Sequence, residues 1–183
     1  MRVTDQHCLY RVHRQHSPYC DNRPDPNDVS LLVIHGISLP PGEFGGDLVA
    51  RLFTGQLPDD LGAAAELRGL TVSAHLFISR SGQITQFVPF QKRAWHAGES
   101  QWRYRPNCND YAVGIELEGT DDLAYTEAQY VALLAVTRAL FDRYPRLSVD
   151  SVVGHREIAP DRKTDPGRAF DWPRFLCALA NSR

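Results

Sequence analysis

Apolar positions along this chain fall into two kinds of pattern. Ser30 to His35, Ala112 to Leu117 and Val149 to Gly154 are short, nearly unbroken apolar runs, the signature of strands covered on both faces. Leu70 to Ile78 and Ile84 to Val88 alternate instead, and Ser81-Gly82 between them predicts a hairpin. Helical spacing appears twice. Thr126-Glu127-Ala128-Gln129 is a capping box, followed by Tyr130, Leu133, Leu134, Thr137, Leu140, Phe141 and Tyr144 on one stripe, with Pro145 as the stop. A last helix is expected from about Asp171, with Trp172, Phe175, Leu176 and Leu179 on one face. Leu48 to Phe53 predicts a shorter helix.

Strand, helix, strand over residues 112–154 predicts a right-handed crossover joining a parallel pair. Together with the hairpin, this gives an α/β single domain with a central mixed β-sheet flanked by helices. Residues 1–29, interrupted by Pro18, Pro24 and Pro26, are expected to be an irregular arm lying on a domain of residues 30–183. Residues 55–70, punctuated by Gly55, Pro58, Gly62 and Gly69, read as a long loop with a helical turn, the kind that acts as a lid.

Composition narrows the class without naming an activity. At 183 residues, 43% hydrophobic and 23% charged, the chain suits one soluble domain. A net charge of -2 and no dense Lys or Arg run argue against a nucleic-acid or anionic-membrane partner. No stretch approaches the roughly 20 apolar residues of a membrane span. The opening residues Met1 to His7 lack the apolar core of a secretory signal. Cys8, Cys20, Cys108 and Cys177 are widely spaced and form no CxxC, so a cytoplasmic setting with free thiols is expected.

The chemistry-bearing residues sit at strand ends, where α/β folds place their sites. His35 closes one apolar run, His155 follows another, and Asp165 lies in the Lys163-Thr164-Asp165-Pro166-Gly167 loop beyond it. Two imidazoles and a carboxylate can hold a zinc ion with a position left open. Singly, each histidine reads equally as a core residue, and Asp165 as ordinary turn chemistry. Glu116 and Glu118 share a strand face by the period-two rule, costly for a buried strand unless they are paired or working. Glu116 is the expected base and Glu118 the expected structural group. Lys163 can reach the same cavity or stand exposed. His75, inside a strand, reads as structural, and His96 follows Trp95 in a polar-aromatic loop. Cys108 offers an alternative nucleophile, although no motif arranges a base around it.

Beyond their spacing, these segments spell a pattern. Val33-Ile34-His35 with Leu39-Pro40-Pro41-Gly42-Glu43-Phe44-Gly45-Gly46, Arg93-Ala94-Trp95-His96-Ala97-Gly98, Gly114-Ile115-Glu116-Leu117-Glu118-Gly119-Thr120-Asp121 and Ile158-Ala159-Pro160-Asp161-Arg162-Lys163-Thr164-Asp165-Pro166-Gly167 resemble the cytosolic anhydro-muropeptide amidases, the AmpD family, over about residues 17 to 177. The resemblance implies a zinc amidase with His35, His155 and Asp165 as metal ligands, Glu116 as the catalytic carboxylate, Lys163 as the transition-state lysine and Trp95 as a substrate contact. The implied substrate is an anhydro-muropeptide, cut between 1,6-anhydro-N-acetylmuramic acid and L-alanine during cell-wall recycling. The chain departs from the family in carrying Gly36 where Asn is usual, Asn107 where Arg is frequent, and no aromatic residue in the 55–70 loop. Arg105 is the expected replacement cation for the stem-peptide carboxylates. A monomer is expected.

Overall fold

A computed structural model of the chain describes residues 1–181, with the backbone alone for Ala63 and Ala64. In chain order the elements are β1 (His13–Arg14), β2 (Cys20–Asn22), β3 (Leu31–Ile37), α1 (Leu48–Thr54), β4 (Leu76–Ile78), β5 (Ile84–Gln86), β6 (Lys92–Ala94), β7 (Gln101–Trp102), β8 (Arg105–Pro106), β9 (Ala112–Glu118), α2 (Glu127–Arg143), β10 (Val152–Gly154), α3 (His155–Ile158) and α4 (Trp172–Ala180). A six-stranded sheet runs in the order β1-β5-β4-β9-β3-β10. Its pairs are parallel except for the β4–β5 hairpin, so the sheet is mixed as the sequence predicts.

The unbroken apolar runs of β3 and β9 follow from burial on both faces. Leu32, Ile34, Val113, Ile115 and Leu117 join Leu133, Val136 and Leu140 of α2 and Phe175 and Leu179 of α4 in the main core. The alternate residues Leu31, Val33 and Ala112 pack on the other face against Ala97, Cys108, Tyr111 and Ile158. Helix α2 starts where the capping box places it. Thr126 Oγ1 accepts the Gln129 N–H, and the Gln129 side chain returns the bond to the Thr126 N–H. The same Gln129 amide donates to the carbonyls of Glu118 and Ile78, tying the helix start to β9 and β4.

Four expectations change. Residues 1–29 are woven into the structure rather than laid on it: β1 is an edge strand of the sheet, and β2 pairs with β6. These strands are too short, between turns, for any periodicity to show. The fully buried Arg23 guanidinium fastens the segment by donating to the carbonyls of Phe90, Asn109 and Ala112. Regular strand begins only at Leu76, because the backbone at Ser73 turns aside to bond the Trp95 carbonyl. Val149–Ser151 is a 3-10 turn, since Ser151 Oγ accepts the Ser148 N–H and draws the chain in. Finally, β9 and β10 are parallel but not adjacent, for β3 lies between them. Ser182 and Arg183, counted in the expected domain, lie outside the described residues.

Among the described residues, no helix is long and apolar enough to cross a membrane.

Candidate metal centre

The carboxyl ends of β3, β9 and β10 converge on one place, as the strand-end reading requires. His35 and Glu116 are register partners across the parallel β3–β9 pair, so both point to the sheet face opposite α2. His155 leaves β10 and opens α3, whose start is closed by Glu157 accepting the Gly154 N–H. The loop beyond returns to that helix: the Arg156 N–H donates to the Asp165 carbonyl, and the Gly167 N–H donates to the Thr164 carbonyl.

His35, His155 and Asp165 therefore meet, each offering a ligand atom within 4.8 Å of the others. Asp165 Oδ2 stands 3.2 Å from Nδ1 of both imidazoles, which are themselves 2.9 Å apart. Burial of His35 pushes its pKa down to about 4 against the pull of Asp165, which keeps the ring neutral near pH 7. Burial alone would raise the Asp165 carboxyl. Its hydrogen bonds to His155 and His35 outweigh that and hold it far below the usual carboxylate range. A neutral His35 ring and an ionised Asp165 carboxylate are protonation states in which each can ligate a metal ion.

Glu116 is not part of this ligand set. Its Oε2 is buried with no hydrogen-bond partner among the described residues. Burial, reinforced by the charge of Asp165 and opposed by Lys163, raises its carboxyl well above the ordinary value. The charge of Lys163 also opposes a proton on His35. Glu118 has the structural role expected of it. Its carboxylate accepts the Gly45 N–H at 2.5 Å and the Arg80 N–H at 2.8 Å, pinning the Pro-Pro-Gly loop to the β4–β5 turn.

His75 is a structural histidine too. Its Nδ1 accepts the Gly114 N–H, so Nε2 carries the proton and donates to the Lys92 carbonyl. Trp95 stacks on Tyr19, ring centroids 6.2 Å apart, and leaves its buried indole N–H without a partner among the described residues. Arg105 is not brought to the cluster. It pairs with Asp28 at 2.6 Å and lies over the Tyr111 ring at 3.7 Å, near the starts of β3 and β9 and so at the opposite end of the sheet. Its neighbours in chain, Trp102 to Pro106, form a hairpin that carries it there. Cys108 is buried with Sγ 3.3 Å from the Tyr111 hydroxyl, and burial pushes its thiol pKa up, the opposite of an activated nucleophile.

Two features escaped sequence reasoning. His96 Nδ1 lies 2.9 Å from His35 Nε2. Its nearest sequence signal is Gly114, a glycine inside a strand, where a close approach is the usual reason. Indeed, a Cβ there would come within 2.5 Å of the His96 ring. The second is Tyr125, which donates to the Pro166 carbonyl beside Asp165 and fills the space over Gly36.

Two imidazoles and a carboxylate at strand ends, with a second carboxylate on the neighbouring strand, form a candidate metal site of the kind hydrolases carry on an α/β sheet. Comparison with known proteins gives the class its name: residues 25–168 match the N-acetylmuramoyl-L-alanine amidase family, and the chain belongs to that family and to its AmpD group. It is 57% identical over 181 residues to the 1,6-anhydro-N-acetylmuramyl-L-alanine amidase AmpD of Salmonella typhimurium (strain SL1344), covering 98% of this chain and 96% of that one. The AmpD of Escherichia coli (strain K12) is 58% identical over 174 residues, 94% of each chain. The crystal structure of a selenomethionine AmpD derivative superposes with a TM-score of 0.93 at 53% identity, covering 97% of this chain and 99% of that one.

Proposed function

We propose that this amidase is zinc-dependent and cleaves the amide between the lactyl group of 1,6-anhydro-N-acetylmuramic acid and L-alanine of the stem peptide, in cytoplasmic cell-wall recycling. The observation that carries the reading is the convergence of His35, His155 and Asp165 near Glu116, whose buried Oε2 has no partner among the described residues. The donor set fits zinc: two imidazole nitrogens and one carboxylate oxygen leave a fourth position for solvent or substrate. Lys163 is not a fourth ligand in this reading, since an ammonium carries no lone pair to give.

When bound, the ion would supply a Lewis acid that lowers the pKa of water to about 7. His35, His155 and Asp165 hold it. Glu116, with a raised pKa, is suited to take the proton from water attacking the lactyl carbonyl and to pass it to the departing alanine amine. The Lys163 ammonium faces the developing oxyanion and lowers the cost of its charge. The anhydro-sugar preference rests on the substrate in the relatives' names. The cytoplasmic setting is supported by the absence of any disulfide among the described cysteines, Cys8, Cys20, Cys108 and Cys177.

Incubation with matched anhydro- and hydrated-muramyl peptides, read by product mass, tests the substrate. Faster release of a stem peptide with a free alanine amine from the anhydro form supports it. Equal rates on both would remove the anhydro specificity.

A further inference from the structure

We propose that His96 is a positioning residue for the metal site, and that the dipeptide His96-Ala97 sets the tautomers of both metal-binding imidazoles. The inference rests on the zinc reading above and adds a role for residues outside the ligand set.

His35 turns Nδ1 toward Asp165 and Nε2 toward His96. A ring that gives Nδ1 to a metal carries its proton on Nε2, and that proton needs an acceptor. His96 Nδ1 is there at 2.9 Å. His155 is arranged alike: Nδ1 toward Asp165, Nε2 donating to the Ala97 carbonyl at 3.3 Å. Adjacent residues thus supply one acceptor to each imidazole. Such outer partners fix ring orientation and raise the basicity of the coordinating nitrogen.

Three features make the dipeptide a built support rather than a passing contact. Asn109 Oδ1 accepts both the His96 N–H, at 3.1 Å, and the Ala97 N–H, at 2.9 Å. Gly114 lets the His96 ring lie on the strand floor, where a Cβ would fall 2.5 Å from Cγ and 2.6 Å from Nδ1. Gly114 is itself held on both backbone groups by His75, whose N–H donates to the Gly114 carbonyl and whose Nδ1 accepts the Gly114 N–H.

The neutral form is the one this role requires, because a protonated His96 would set two N–H groups against each other.

The test compares zinc affinity, by competition with a chromophoric chelator, in the full-length wild type, His96→Phe and His96→Asn, alongside the melting temperature of each metal-free chain. Phenylalanine keeps the ring and removes the acceptor. Asparagine places an amide oxygen near the Nδ1 position. Zinc dissociation should weaken about 10–100-fold in His96→Phe and recover most of that in His96→Asn, with no matching pattern in the metal-free melting temperatures. Wild-type affinity in His96→Phe overturns the proposal, as does a loss in both variants that tracks metal-free stability. If the wild type itself fails to bind zinc, the zinc reading fails and not merely this extension. A measurement needing no variant uses nitrogen-15 imidazole spectra of the zinc-loaded wild type, where His96 should be the Nε2–H tautomer. An Nδ1–H tautomer there would contradict the acceptor role.

Discussion

His35 and Glu116 sit directly opposite each other across the parallel β3–β9 pair, one turned to the His35–His155–Asp165 cluster and the other with its Oε2 unpaired among the described residues. In the proposed mechanism a single register thus separates metal binding from proton transfer. Glu116→Gln keeps the shape and removes the base, so zinc content should stay at the wild-type level while turnover falls about 10²–10⁴-fold. Metal analysis beside kcat checks it. A parallel fall of both would make Glu116 a ligand.

Asp165 faces both imidazole Nδ1 atoms through one oxygen. Removing it leaves two imidazoles and no carboxylate charge to balance a divalent cation. Asp165→Ala should purify without zinc and without activity. Full occupancy in that variant, measured by elemental analysis, would remove Asp165 from the site.

For Lys163 the expected loss is in the transition state. Lys163→Ala should lower kcat by roughly 3 kcal/mol in barrier, as for a lost oxyanion donor, at unchanged zinc content. A change confined to KM would make it a ground-state contact.

How legible all this was depends on the range of the interaction. Strands β3 and β9 and helix α2 announce themselves through consecutive apolar residues and a local capping box, so they appear within a residue or two of where they form. The convergence of His35, His155 and Asp165 was readable because each closes or follows such an element. What stayed hidden was long-range. Arg105 is two residues from Asn107, yet its partners are Asp28 and Tyr111, and only tertiary structure shows that the β7–β8 hairpin carries it away from the cluster. The strands β1 and β2 have two and three residues, too few to establish a period. His96 looks like a loop residue until the Gly114 floor and the Asn109 side chain, from segments distant in sequence, bring it under His35.

That placement changes the expectation for Arg105. Arg105→Ala should leave KM on a tripeptide-bearing substrate unchanged and cost about 1 kcal/mol of stability, since the guanidinium is half exposed. Hydrogen bonds from Arg105 and Ser30 overcome the effect of burial and lower the Asp28 pKa. A lowered carboxylate pKa stabilises the fold above the unfolded value near 4, and that contribution is lost as pH falls through the folded value. The gap between wild type and variant in urea melts should therefore be full at pH 7 and shrink below about pH 4. A raised KM would instead return Arg105 to substrate recognition.

Gly36 carries a further expectation. A Cβ there would lie 2.4 Å from the Tyr125 hydroxyl, which holds the Pro166 carbonyl next to Asp165. Gly36→Ala should destabilise the chain by about 1–3 kcal/mol through overpacking and weaken zinc binding as the Asp165 loop shifts. Adding Tyr125→Phe should relieve the clash and recover part of the stability. A Gly36→Ala chain as stable as wild type would show that Tyr125 moves aside at no cost.

The central claim is that His35, His155 and Asp165 hold a zinc ion on which amide cleavage depends. It is tested most directly by stripping the purified enzyme with a chelator and titrating zinc back. Release of the stem peptide from an anhydro-muropeptide is followed by mass at each step. The account predicts no product from the stripped enzyme and full recovery at one zinc per chain. Undiminished cleavage by enzyme shown to be metal-free would contradict it.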